Sequence, residues 1–261
     1  MGQTRLISGS LYIKSDIYFL DYLSIYKMYI GMYMNKISSG LFYVLMMVFL
    51  LPGAGYPDEN QDFSGLTLVQ IFNSGNLKNI AIEKGKVAYV KHCAECHGED
   101  GTGKSGVSDL TNGLWLWGGS LSDLEITIRY GIRSGHELQR FSQMPAYTDQ
   151  DFLSKDQIND LVEYTLSIAY QEADQDAVKR AASNFETICS ECHDYNGSGR
   201  MEYYGAPDLT DYYWLYGDSK EVIYKSIADG RMGISPAFDN MLDNETIKFI
   251  TIYTYSLAHS F

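Results

Sequence analysis

Residues 91–106 read KHCAECHGEDGTGKSG, and residues 187–199 read TICSECHDYNGSG. Each contains Cys-x-x-Cys-His: Cys93, Cys96 and His97 in the first, Cys189, Cys192 and His193 in the second. On a helix these residues stand at i, i+3 and i+4 and share a face. Two thiols so placed can add to the two vinyl groups of a haem, with the adjacent imidazole under the iron. All four cysteines sit in these two strings, so none remains for a structural disulfide. A zinc site would need the two pairs to converge, and a redox dithiol has no use for the following histidine. Gly98 to Ser105 also satisfies the phosphate-loop pattern G-x-x-x-x-G-K-S. That mechanism needs a buried strand before the glycines and a helix starting at Lys-Ser. The flanking sequence suggests neither, and the second string lacks Gly-Lys-Ser, so no ATP site is expected. KHCAECH reads as an attachment helix and GEDGTGKSG as the loop leaving it, with Lys104 a solvent-facing charge.

The two strings belong to two copies of one unit. Tyr89 precedes Cys93 by four residues, as Phe185 precedes Cys189. DLTNGLWLWGGS (109–120) answers DLTDYYWLYGDS (208–219), Gly131 answers Gly230, and MPAY (144–147) answers SPAF (235–238). DQINDLVEYTLSIA (156–169) answers ETIKFITIYTYSLA (245–258). Both ends of each copy have helical periodicity: Ile158, Leu161, Val162 and Thr165 fall on one face, as do Ile247, Ile250, Thr251 and Thr254. The Gly-, Asp- and Ser-rich stretches between read as loop. Each unit is expected to be a short helix, a long loop, a middle helix and a C-terminal helix. No segment alternates persistently enough for a strand. The expected fold is all-α, with two tandem haem domains at 78–171 and 172–261 after an N-terminal membrane helix.

The chain has 261 residues, enough for one or two domains, and a formal net charge of −13. Residues 1–57 carry four basic and two acidic side chains, so the body beyond them is about −15. Such a surface argues against nucleic acid and favours a basic partner. Residues 37–57 contain no charge and are long enough to span a bilayer. Lys27 and Lys36 precede this stretch, and Asp58, Glu59 and Asp62 follow it. That asymmetry predicts a cytoplasmic or membrane-associated N-terminal segment (1–36) and an exported body, joined by a linker at 58–77. The eleven apolar residues 41–51 and the small residues Gly53-Ala54-Gly55 equally fit a cleaved signal peptide.

A haem with one protein ligand has a free iron position. Met144, in SQMPAY, is the only methionine between the two Cys-x-x-Cys-His strings. A thioether favours ferrous iron, so His/Met ligation raises the potential and closes the iron. In the second copy the equivalent position is Ser235, a poor ligand for ferrous haem. Met232, where the first copy has Arg133, is the first substitute, ahead of Met241 and Met201. The remaining alternative is an open iron that binds CO or NO. His92, His136 and His259 read as structural or surface residues.

With DLTNGLWLWGGS, IRYGIRSGHELQRFSQMPAY and DLTDYYWLYGDS in view, residues 78–258 resemble the dihaem cytochrome c subunit, subunit III, of cbb3-type cytochrome c oxidases. Leu51-Pro52-Gly53 looks like the segment that follows the family's anchor. The resemblance implies two covalently bound haems c, attached at Cys93, Cys96, Cys189 and Cys192. It implies His97 and His193 as proximal ligands and Met144 as a distal ligand. The family's second distal methionine falls at Ser235, so Met232 is the candidate there. It implies a single-pass protein of the bacterial inner membrane with its haem domains in the periplasm. Electrons would come from the bc1 complex or a soluble cytochrome c and pass through a monohaem cytochrome c subunit to the haem–copper subunit. The chain itself has no oxygen-reducing site. Two other readings stay open: a soluble periplasmic dihaem carrier, and a gas sensor acting through the second haem. Carbonate washing of membranes is expected to leave the haem-staining band in the pellet. Its release into the supernatant would exclude an uncleaved anchor.

Overall fold

The computed structural model describes residues 61–149 and 152–259, within one compact unit, Asn60–Phe261. The segment 1–36 and the expected anchor at 37–57 lie outside the described residues. Among the described residues no helix is long and apolar enough to cross a membrane.

The helices are α1 Leu68–Asn73, α2 Gly75–His92, α3 Ala94–His97, α4 Leu121–Tyr130 and α5 Lys155–Ile168. They continue with α6 Gln175–Asn184, a π-helical turn Phe185–Cys189, α7 Ser190–His193, α8 Met201–Tyr204, α9 Lys220–Asp229 and α10 Asn244–Ala258. Extended pairing among the described residues is limited to isolated bridges, in keeping with the all-α expectation. Local sequence sets the helix starts. Ser120 and Ser154 accept from the backbone of Asp123 and Gln157, and those side chains return to the cap nitrogens, so both starts are capping boxes. Ser219 and Asp243 cap α9 and α10 in the same way, without the return bond. Helices α4 and α9 stop at Gly131 and Gly230, whose φ of +73° and +71° suits glycine.

The helices do not pair by repeat. The C-terminal helix of the second copy, α10, packs on α2 and α4 of the first. The C-terminal helix of the first copy, α5, packs on α6 and α9 of the second. The two copies have exchanged their last helices.

Equivalent residues make both crossings. A Cβ on Gly85 in α2 would lie 2.1 Å from the carbonyl oxygen of Phe249 in α10, so only glycine allows that approach. Its counterpart in α6, Ala181, is fully buried against the α5 core. One turn on, Tyr89 meets Tyr253 with ring centroids 5.2 Å apart, and Phe185 meets Tyr164 at 4.5 Å. Each pair joins residues from different copies.

The segments before the exchanged helices follow them. Ser235 and Ile132 exchange two backbone hydrogen bonds of 3.0 Å, and Phe238 N–H donates to Ile128 and Arg129 in α4. In the other half Met144 and Arg231 exchange two of 3.1 Å, and Tyr147 and Thr148 donate to Ile227 and Ala228 in α9. One core gathers Phe63, Leu68, Ile71, Ile80, Phe249 and Ile252. The other gathers Ile158, Leu161, Val162, Phe185, Ile223 and Ile227. Each large apolar side chain buried in these cores contributes about 1.5–3 kcal/mol.

The exchange predicts which aromatic residues are coupled. A double-mutant cycle on Tyr89→Leu and Tyr253→Leu, measured by denaturant unfolding, is expected to show about 0.5–1.5 kcal/mol of coupling. Tyr89→Leu with Tyr164→Leu is expected to show none. The reverse result would restore pairing within each copy.

Candidate haem sites

Each Cys-x-x-Cys-His string straddles a helix end. Cys93 caps α2 by donating to Tyr89 at 2.7 Å, and the His97 amide returns to the Cys93 carbonyl at 3.0 Å. The single turn α3 therefore brings Cys93, Cys96 and His97 to one side. The π-turn and α7 do the same for Cys189, Cys192 and His193. Burial pushes the Cys93 thiol up to about 11 and the Cys189 thiol up to about 12. The first thiol of each pair is partly buried, while Cys96 is exposed.

The loops that leave the histidines match bond for bond. Gly103 N–H donates to His97 and Gly199 N–H to His193, each at 2.8 Å. Leu110 donates to Gly101 and Leu209 to Gly197, each at 2.7 Å. A Cβ at Gly103 would lie 2.4 Å from the Val107 carbonyl oxygen, and at Gly199 2.6 Å from that of Ala206. The glycines that imitate a phosphate loop are there to turn the chain tightly under the histidine. The repeated Asp-Leu-Thr is an Asx turn: Asp109 accepts from Thr111 N–H at 2.7 Å, and Asp208 from Thr210 at 2.7 Å.

These loops also orient the imidazoles. His97 Nδ1 is 2.9 Å from the carbonyl of Ser108, and His193 Nδ1 is 3.1 Å from that of Pro207. A carbonyl only accepts, so Nδ1 carries the proton and Nε2 presents a lone pair. Burial lowers the pKa of His193, which favours the same neutral form. A carbonyl on Nδ1 is the usual outer support of a metal-binding imidazole.

Among the described residues, two buried side-chain atoms then lack partners. The indole N–H groups of Trp115 and Trp214 are buried without an acceptor. They occupy equivalent positions in DLTNGLWLWGGS and DLTDYYWLYGDS, and buried donors are rarely left unpaired. A haem presents two carboxylates, the acceptor type these donors require, so the residues of both copies fit the group. The sequence displayed both tryptophans but gave no sign that their N–H groups lack partners.

The exchange decides which half holds each predicted distal residue. Met144 packs on the core that contains Phe185 and Cys189, not beside Cys93. Tyr147, three residues on, is pushed up to about 12 by burial and lies close enough to feel Cys189 and Cys192. Ser235 and Phe238 belong to the other half, where Phe238 meets His92 at 6.2 Å, one residue before Cys93. Met232 and Met241 are 59% and 60% exposed, and the side chain of Met201 is outside the described set. His136 is engaged at both nitrogens, by Asp239 at 3.0 Å and Leu138 N–H at 2.9 Å. His259 stacks on Tyr255 at 4.0 Å. Arg133, at φ +50°, ties the two crossing strands by donating to Gly233 and Ser142 carbonyls.

Residues 82–169 match the family model for cytochrome c, a domain that carries covalently bound haem c. The chain is similar to the cbb3-type cytochrome c oxidase subunit FixP of Azorhizobium caulinodans, with 37% identity covering 75% of this chain and 66% of that one. FixP of Bradyrhizobium sp. is 36% identical over 77% of this chain and 69% of its own. The CcoP subunit of Azospirillum brasilense is 34% identical over 70% and 64%. The chain therefore spans about two thirds of the length of these relatives.

Replacing each unpartnered indole tests the fit. A hydrogen bond to a charged acceptor is worth about 1.5–3 kcal/mol. Trp115→Phe and Trp214→Phe are each expected to lower the stability of the haem-loaded chain by that much in denaturant titrations. No loss in either variant would show that the indoles do not meet the haem carboxylates.

Proposed function

Because the chain belongs to the family of cbb3-type cytochrome c oxidase subunits named FixP and CcoP, we propose that it is that oxidase's electron-entry subunit, carrying two haems c. The observation that carries the reading is the duplication of one complete site. Both copies have the cysteine pair, an imidazole held through Nδ1 and a buried indole in want of an acceptor. The family model covers only the first copy, and the bond-for-bond match of the loops supports a haem in the second.

A bound haem c supplies one-electron transfer between ferrous and ferric iron. The protein's part is to hold it still and dry. Cys93, Cys96, Cys189 and Cys192 would attach the rings, and His97 and His193 would offer Nε2 as ligands. Trp115 and Trp214 would donate to the carboxylates. The position of Met144 on the core with Cys189 supports it as a ligand of the haem that Cys189 and Cys192 would hold. A soft thioether there favours ferrous iron and raises the potential.

The strongly acidic body suits docking by a basic electron donor. We assign that role to a soluble cytochrome c or the bc1 complex, with delivery through a monohaem cytochrome c subunit to the haem–copper subunit. Residues 37–57 would hold the chain in the inner membrane with its haems in the periplasm.

The pyridine haemochrome assay is expected to give two haems c per purified chain, and one for Cys189→Ala/Cys192→Ala. The oxidase complex assembled with that variant should keep its oxygen-reducing site but accept electrons from reduced cytochrome c more slowly. A single haem in the unaltered chain, or undiminished electron entry in the variant, would overturn the reading.

A further inference from the structure

At equivalent places in the two halves the crossing backbone carries different residues, Ser235 in one and Met144 in the other. Gly131 and Gly230 allow the same close approach. A Cβ there would lie 2.4 Å from the Ser235 carbonyl oxygen in one half and 2.5 Å from that of Met144 in the other. Paired backbone hydrogen bonds fix the register in both: Ser235 with Ile132 at 3.0 Å, Met144 with Arg231 at 3.1 Å. Ser235 therefore stands in the half of Cys93 where Met144 stands in the half of Cys189. Of the two pairings open in the sequence, Met144 with the haem of its own copy or with that of the other, this placement favours the second.

We propose that the haem held by Cys93, Cys96 and His97 has no protein side chain as its sixth ligand and takes a small neutral diatomic molecule there. The haem held by Cys189, Cys192 and His193 is closed by Met144. The proposal rests on the two-haem reading above.

Three observations carry it. A serine hydroxyl is a hard, neutral oxygen and a poor ligand for ferrous haem, whereas CO and NO accept electron density from that iron. The pinned register keeps Met232 three residues from the position, next to Arg231, which pairs with Met144. Among the described side chains the other histidines are engaged elsewhere. His136 uses both ring nitrogens, and His259 is stacked on Tyr255. His92 precedes Cys93 on the attachment helix and meets Phe238 edge-on. The consequence for electron flow is an ordered pair. The His97 haem, lacking sulfur, has the lower potential and passes electrons downhill to the Met144-ligated haem.

The test is CO titration of the reduced, haem-loaded full chain, followed by absorption spectra. Wild type is expected to bind one CO per two haems. Ser235→Met should abolish CO binding and add a second sulfur-to-ferric-iron charge-transfer band. Met144→Ala should double the CO bound. Cys189→Ala/Cys192→Ala, which keeps only the His97 haem, should still bind CO, and Cys93→Ala/Cys96→Ala should not. Absence of CO binding in wild type, or its appearance only after Met232→Ala, would overturn the proposal. So would CO binding unchanged by Ser235→Met. A haemochrome count below two would instead defeat the two-haem reading, so the two failures are told apart.

Discussion

The whole arrangement hangs on one helix crossing, that of α2 over α10 at Gly85. The backbones approach so closely there that the Phe249 carbonyl oxygen takes the space of a side chain. Tyr89, one turn further, is fully buried against Tyr253, donates its hydroxyl to the Gly98 carbonyl at 3.0 Å, and lies four residues before Cys93. The crossing thus sets where the attachment turn leaves the core. Its partner in the other half, Ala181 with Phe185 against Tyr164, does the same for Cys189. Both Cys-x-x-Cys-His turns depend on a helix supplied by the other copy.

That dependence has a topological consequence. The half containing Cys189 is contiguous, running from Met144 through α5, α6, α7 and α9 to Arg231. The half containing Cys93 is split, with α1 to α4 before that span and α10 after it. One half is inserted in the other. The inner half closes through shorter loops, and the outer half needs residues as distant as Gly85 and Phe249 to meet. Loop-closure entropy therefore favours the inner half as the earlier to form. A cut between residues 171 and 172, where the sequence repeat divides, would separate both pairs of crossed helices.

The short helical turns at Cys-x-x-Cys-His and the loop glycines were legible because each is a local pattern. Cys-x-x-Cys-His carries its geometry within five residues, and Asp-Leu-Thr carries its own turn. Which helix packs on which could not be read that way. The apolar face of α5 is the same whether it meets α2 or α6, since the copies present equivalent residues, Gly85 or Ala181 and Tyr89 or Phe185. The one trace in sequence is the connection length: twelve residues link Gly131 to Met144, and four link Gly230 to Ser235. The insert carries His136, which reaches across to Asp239, and Arg140, which donates to Thr127 in α4 at 2.9 Å. The unpaired indoles were equally invisible, because satisfaction of a donor is a property of packing.

The crossover also explains why one residue can distinguish two otherwise matching sites. Between the halves, Arg133 binds carbonyls of both crossing strands, and Arg231 lies 3.8 Å over the Tyr216 ring. Burial lowers the pKa of Arg133, yet guanidinium keeps its charge at any physiological pH. Such fixed positive groups at the seam of an acidic molecule hold both strands in register without reference to either iron. The scaffold on each side is then indifferent to what residue 144 or 235 presents. A methionine stands at one place and a serine at the other, and both are held by the same paired backbone bonds. Ligation can therefore differ between the sites while the fold that holds them stays symmetric.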